Sequence, residues 1–147
     1  MVATNQQRYL DTIGALSDDA ANRKPPGDGE WSTRELTLHV IATEEYVTRV
    51  IHHAARGEQP PPRDPPGGIG MTIPDEGQTF AQLVERLRTT NEVMLDTIRT
   101  VPEAPDLIVK PEHPFFGPLH CLEWGVFQRI HDEDHIQHAT RIIAETS

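Results

Sequence analysis

Apolar residues recur at helical spacing in four stretches of this chain, and segments rich in proline and glycine separate the stretches. Side chains three or four positions apart lie on the same face of a helix. Each stretch therefore predicts an amphipathic helix with one face turned toward a core. The predicted helices run over about residues 5 to 23, 32 to 56, 79 to 101 and 119 to 145.

The second and fourth predicted helices carry stripes in which histidine alternates with apolar residues. Both stripes are expected to face the interior, and their histidines with them. The stripe of the second helix contains Leu36, His39, Thr43, Tyr46, Val47 and Val50. The stripe of the fourth helix contains Trp124, Phe127, Ile130, His131, His135 and Ile142.

Two helix starts have the sequence form of a capping box, in which a hydroxyl residue precedes a glutamate or glutamine by three positions. Ser32 and Glu35 have this spacing at the second helix, and Thr79 and Gln82 have it at the third. Trp31 is placed to pack on the first turn of the second helix as a hydrophobic staple.

Two long connections join the helices. Residues 57 to 78 contain six prolines and five glycines, which predicts a surface connection, either a simple crossing or a lid over a site. Residues 102 to 118 are also proline-rich, and residues 107 to 109 are their one candidate strand. Four helices with almost no strand signal predict an all-α four-helix bundle that forms one domain over residues 1 to 147.

The charge balance excludes some partners. The chain has 13 basic and 23 acidic residues and a formal net charge of −10, so nucleic acid and anionic membranes are not expected to bind. No membrane-length apolar run or signal-peptide pattern is present, which predicts a cytoplasmic protein. Cys121 is the one cysteine, and we interpret it as a small buried apolar residue.

The candidate chemistry lies in the segment HDEDHIQH. His131 and His135 are four residues apart, so their rings can reach one metal ion from the same helix face. His135 and His138, or all three histidines, also share that face. The row of three is disfavoured because the helix rises ~10 Å over seven residues. A site needs a third ligand, and His39 on the second helix is the best candidate.

Other polar residues are expected to have ordinary roles. Solvent exposure is the default for the acidic residues and for the histidines near helix ends or in loops. Four residues are candidates for a pocket wall or a second shell around the metal, with core packing as the alternative: Tyr46, Trp124, Phe127 and His138. The residues expected to be exposed are Glu44, Glu45, His52, His53, His113, His120, Asp132, Glu133 and Asp134.

The segments GEWSTRELTLHV, HPFFGPLHCLEWGVFQRI and HDEDHIQHATRI, in this order, resemble the DinB-like superfamily of bacterial metal-binding four-helix bundles. The resemblance extends over essentially the whole chain. It implies that a histidine of the second helix and an H-x-x-x-H pair of the fourth bind the metal, which correspond to His39, His131 and His135. Many relatives have glutamine at the position of His138.

The resemblance implies a zinc, nickel or similar divalent ion, a homodimer and, in some branches, transfer of a low-molecular-weight thiol to a small-molecule substrate. The leading hypothesis is therefore a metal-dependent thiol S-transferase. A metal-dependent hydrolase would use the same three ligands. The alternative from another class is a non-catalytic bundle, in which the metal stabilises an interaction or dimerisation module.

Overall fold

The structure is a computed structural model, and it describes residues 2–62 and 70–147. Four long helices within these ranges form a bundle, as the sequence predicts for an all-α protein. A short helix and a hairpin of two-residue strands accompany them. The elements are α1 (Val2–Ile13), α2 (Asp18–Asn22), α3 (Thr33–Ala54), α4 (Phe80–Arg99), β1 (Glu112–His113), β2 (Gly117–Pro118) and α5 (Cys121–Thr146).

The first predicted helix is in fact two helices. α1 ends at Ile13, and α2 begins after Ser17, whose side chain accepts a hydrogen bond from the main-chain nitrogen of Ala20 at 3.2 Å. Ser17 therefore caps a new helix where the sequence pattern had predicted a continuous one, because a serine is an effective N-cap.

Residues 107 to 109, the candidate strand or extended piece, do not form a strand. The hairpin lies further along, where Glu112 pairs with Pro118 and His113 pairs with Gly117. Gly117 has a φ of +71°, a left-handed conformation that glycine adopts without strain. The turn chemistry of the HPFFGP segment therefore determines the position of the strands.

The predicted capping boxes are confirmed, and a third is present at α5. The side chains of Ser32 and Thr79 each accept a hydrogen bond from the main-chain nitrogen of the third residue of their helix. The side chain of that third residue in turn accepts a hydrogen bond from the main-chain nitrogen of the cap residue. At α5, His120 takes the part of the hydroxyl residue, with its Nδ1 accepting from the main-chain nitrogen of Glu123 at 3.4 Å. A histidine cap lies outside the usual capping-box pattern.

α5 has two inward faces because it packs against α3 on one side and α1 on the other. One face carries Trp124, Phe127, His131, His135 and His138, and the other carries Gln128, Asp132, Ile136 and Ala139. Ile130, predicted to face inward, is 56% exposed, because it shares the outer face with Leu122 and Val126. Ile98, at the end of α4, is also exposed.

The connection between α3 and α4 is described up to residue 62 and from residue 70 onward, and residues 63–69 lie outside the described residues. Its second half packs on α3, although the composition predicted an unpacked surface segment. Ile73 is buried, and its main-chain nitrogen donates to the carbonyl of Leu38 at 3.2 Å. Arg34 donates two hydrogen bonds to the carboxylate of Asp75, at 2.7 and 2.8 Å. The lid hypothesis depends in part on residues 63–69 and stays a hypothesis.

Over residues 2–62 and 70–147, no helix combines the length and the apolar character that crossing a membrane requires.

Candidate metal centre

Three histidine rings from two helices converge at one point. The Nε2 atom of His39 on α3 lies 3.2 Å from the Nε2 atoms of both His131 and His135 on α5. The latter two atoms are 3.0 Å apart. The structure therefore brings together the three residues that the sequence suggested as ligands. They form the one group of three or more potential ligand residues within metal-binding reach in the described part of the chain.

The orientation of the His39 ring is fixed by the chain after residue 70. Its Nδ1 lies 2.6 Å from the main-chain carbonyl oxygen of Met71. A carbonyl oxygen only accepts hydrogen bonds, so Nδ1 carries the proton and donates. In the neutral ring, the lone pair of Nε2 then points toward His131 and His135. A hydrogen bond of this kind is the usual support of a metal-binding imidazole.

Burial keeps the other two rings neutral. It lowers the pKa of His131 to about 2 and that of His135 to about 3, and the neighbouring histidines add to both shifts. Their Nδ1 atoms are buried without a hydrogen-bond partner among the described residues. Metal ions bind the neutral form of imidazole, so the protonation state of His131 and His135 suits ligation.

The donor set fits a divalent metal ion. Two nitrogen ligands of one tetrahedral zinc ion lie about 3.3 Å apart, which is close to the nitrogen separations of the triad. Imidazole nitrogens suit zinc, nickel, copper and iron. Three protein ligands leave at least one coordination position for a substrate or water, as in catalytic sites.

A cavity of about 560 Å³ adjoins the triad and runs along α5. Its aromatic end lies beside the residues of α5 that precede His131. The residues of the aromatic end are Tyr46, His113, Phe115, Trp124 and Phe127. Its charged end lies beside the residues that follow His135. The residues of the charged end are Glu30, Trp31, Asp134, His138 and Arg141.

The four residues that the sequence suggested for a pocket wall all line this cavity. Tyr46 and Trp124 contact each other with ring centroids 6.0 Å apart, and the ring of Phe127 lies 5.5 Å from that of His131. His138 is half-buried with its ring centroid 5.9 Å from that of His135. His138 is not in the converging triad, and burial lowers its pKa.

Trp31 and His113 are among the cavity residues that the sequence did not suggest. Trp31, expected only to staple the start of α3, tilts over His39 at 5.1 Å and stacks with His138 at 6.3 Å between ring centroids. His113 was expected to be exposed but is only 4% exposed, because the hairpin folds its ring against Trp124 and Phe127. Its position next to the FFGP turn could have indicated a hairpin residue.

His52 is exposed as expected, and His53 and His120 are half-buried.

Two carboxyl groups expected in solvent lie in the bundle interior. Glu44 is 1% exposed and Asp132 is 4% exposed. Burial, together with the charge of Asp132, raises the pKa of Glu44 well above its usual value. Burial raises the pKa of Asp132 to about 7. Gln6 donates a hydrogen bond to Glu44, and Gln128 donates one to Asp132 at 2.7 Å.

Cys121 lies away from the cavity. It packs in a small cluster with Ala54 and Ala55, and its Sγ donates to the carbonyl of Asp106 at 3.6 Å. Burial raises the pKa of its thiol. A buried thiol with a raised pKa is a poor nucleophile, so the interpretation as a small core residue agrees with the structure.

By its fold and its site, this protein belongs to the class of four-helix bundles in which three imidazoles converge beside a cavity. The family model of the DinB superfamily matches residues 1–139, and the chain belongs to that superfamily. A crystal structure described as TT2238, a four-helix bundle protein, has a TM-score of 0.65 and 17% sequence identity, with 92% of this chain and 90% of that chain covered. At this identity the similarity shows the fold alone. No curated protein matches the chain.

Proposed function

We propose that the protein binds a divalent metal ion, zinc or nickel, through His39, His131 and His135. We further propose that it is a metal-dependent enzyme of the low-molecular-weight-thiol S-transferase type. The observation that carries the proposal is the convergence of three imidazole Nε2 atoms within 3.2 Å of one another, at the side of a cavity of about 560 Å³. A cavity of this size can enclose a small molecule.

The three histidines, the carbonyl of Met71 and the cavity have distinct roles in this proposal. His39, His131 and His135 hold the ion, and the carbonyl of Met71 fixes the ring of His39. A divalent ion supplies Lewis-acid chemistry, which lowers the pKa of a thiol bound beside it. The apolar part of the cavity wall offers a surface for the apolar part of an electrophilic substrate.

The cavity is also what favours an enzyme over a metal-stabilised interaction module. Structural zinc sites are closed by four protein ligands, whereas catalytic sites keep a position open. The triad has three ligands, and the space beside them is enclosed by residues from α3, α5 and the hairpin. An interaction module would not require such a space.

Metal content of untagged protein, measured by mass spectrometry, tests the metal part of the proposal. We expect about one divalent ion per chain, following the one-ion stoichiometry of three-ligand catalytic sites, and its loss in His39→Ala, His131→Ala and His135→Ala. His52→Ala is the matched control, because His52 is an exposed histidine on the same helix as His39. A protein that binds no ion after incubation with zinc or nickel, or triad variants that keep it, would contradict the proposal.

Thiol consumption by the metal-loaded protein tests the reaction type. The assay offers glutathione, bacillithiol or mycothiol with a panel of electrophiles, and it follows conjugate formation by mass spectrometry. Conjugation that disappears with the triad variants supports a transferase. Metal-dependent hydrolysis of the electrophile without consumption of thiol would contradict it.

A further inference from the structure

The aromatic end of the cavity is built from three elements. Tyr46 comes from α3, His113 and Phe115 from the hairpin segment, and Trp124 and Phe127 from α5. Such a concentration is unusual in a chain with 5% aromatic residues. Trp124 is buried in the core, but Tyr46 and Phe127 are only half-buried and Phe115 is exposed, so part of this aromatic surface faces the cavity.

The rings pack with their edges against neighbouring faces. Tyr46 and Trp124 meet at 77°, and Trp124 and Phe127 meet at 84°. His113 lies 4.2 Å from Phe127 between ring centroids, at 61°. Aromatic rings favour edge-to-face and offset arrangements because their faces are electron-rich and their edges are electron-poor. A planar ring can join this arrangement through Tyr46, Phe115 and Phe127, which line the cavity and are not fully buried.

The polarity of the cavity gives a bound molecule one favoured orientation. Phe127 lies 5.5 Å from His131, so the aromatic end reaches the triad. Beyond the triad lies the charged end, where Arg141 pairs with Glu30 at 3.0 Å. A ligand with a ring at one end and polar groups at the other would therefore place its middle at the triad.

His113 is held in the aromatic end by the hairpin. Its Nδ1 accepts hydrogen bonds from the main-chain nitrogens of Phe115 and Phe116, at 3.1 and 3.2 Å. These hydrogen bonds fix its ring against Phe127, so this part of the aromatic end is formed before any ligand binds.

We propose that the aromatic end is a binding subsite for a planar aromatic or conjugated ring. One detail of this inference rests on the proposed function. In that detail, the ring belongs to the electrophilic substrate, and the thiol occupies the charged end. Binding of the ring itself needs no metal ion.

The test measures binding of 2-naphthol to the full chain by isothermal titration calorimetry. The saturated alcohol 2-decalol is the control ligand, because it has the same carbon skeleton without the flat π-system. We expect 2-naphthol to bind roughly tenfold more tightly than 2-decalol, since aromatic pairing adds to the burial of apolar area. Equal affinities for the two alcohols, or no binding of 2-naphthol, would overturn the subsite.

A pair of adjacent substitutions locates the binding. Phe115 lines the cavity, whereas Phe116 does not, and the two side chains are 67% and 57% exposed. Neither substitution should therefore disturb the folded core. We expect Phe115→Leu to weaken 2-naphthol binding by roughly 2- to 10-fold and Phe116→Leu to leave it unchanged. An unchanged affinity in Phe115→Leu would overturn the proposal.

Metal analysis of the same samples distinguishes the two proposals. A protein that holds metal but does not bind 2-naphthol retains the proposed function and loses the ring subsite. A protein that binds 2-naphthol through Phe115 but holds no metal retains the ring subsite and loses the proposed function. The assignment of the ring to the electrophile fails in both cases.

Discussion

The Nδ1 atom of His39 donates a hydrogen bond to the main-chain carbonyl of Met71 at 2.6 Å. This contact links the candidate metal centre to a segment outside the four long helices. The segment is held in turn by Ile73, which is buried against α3, and by the pair of Arg34 and Asp75. The orientation of one proposed ligand therefore depends on how firmly residues 71 to 75 are docked.

Ile73→Ala should weaken metal binding without removing a ligand. Loss of its buried side chain loosens the segment and with it the carbonyl of Met71. Mutation of groups that orient a metal ligand lowers affinity by roughly 10- to 100-fold, and we expect the lower end here because the three histidines remain. Zinc affinity is measured by competition with a chromophoric chelator.

The control for this prediction is Thr72→Ala, at an exposed neighbouring position. Circular dichroism verifies that both variants are folded. Equal zinc affinities in the wild type and Ile73→Ala would show that the Met71 contact has no influence on the metal centre.

Glu44→Gln should change how stability depends on pH. The folded protein raises the pKa of Glu44 above its usual 4.5, so the folded state binds this proton more tightly than the unfolded state. The stability linked to Glu44 is complete below about pH 4.5 and is lost as the pH rises through the raised pKa. The loss has a slope of at most about 1.4 kcal/mol per pH unit.

Urea unfolding at pH values from 5 to 8 measures this difference. The free energy of unfolding of the wild type is expected to fall with pH relative to that of Glu44→Gln. Glu92→Gln is the matched control, because Glu92 is exposed and is not among the charged groups that raise the pKa of Glu44. Parallel curves for the wild type and Glu44→Gln would refute a buried proton on Glu44.

Cys121→Ala should leave metal content and 2-naphthol binding unchanged, because Cys121 does not line the cavity. In the native protein, its thiol is 1% exposed and has a raised pKa. Iodoacetamide is therefore expected to alkylate native Cys121 roughly tenfold or more slowly than the thiol of the urea-unfolded chain. Mass spectrometry follows the reaction, and comparable rates would indicate an accessible thiol with a role of its own.

The sequence predicted the features that depend on local spacing. The capping boxes at Ser32 and Thr79 are determined by residues three positions apart, and each is present in the structure. His131 and His135 share a helix face because four residues are close to one turn. The inward position of His39 followed from the apolar stripe of α3, although α3 is buried on all sides between Leu36 and Glu44.

The remaining features depend on how the helices and the hairpin pack together, which periodicity along one helix does not reveal. α5 is buried on two sides. Asp132 therefore lies in the interior on one inward face, although its neighbour His131 belongs to the other inward face. Glu44 is buried because it meets Gln6 across the bundle. His113 enters the cavity through a turn whose path depends on contacts with Trp124 and Phe127.

Trp31 and Trp124 are the only two tryptophans of the chain, and they stand at opposite ends of the cavity. Trp31 contacts His39 and His138, whereas Trp124 contacts Tyr46 and Phe127. The protein thus carries one tryptophan at each end of the space where a ligand would lie. Replacing either indole with phenylalanine would leave a single tryptophan, whose emission can be excited apart from that of tyrosine, so occupancy of the charged and aromatic ends can be followed separately and without a label.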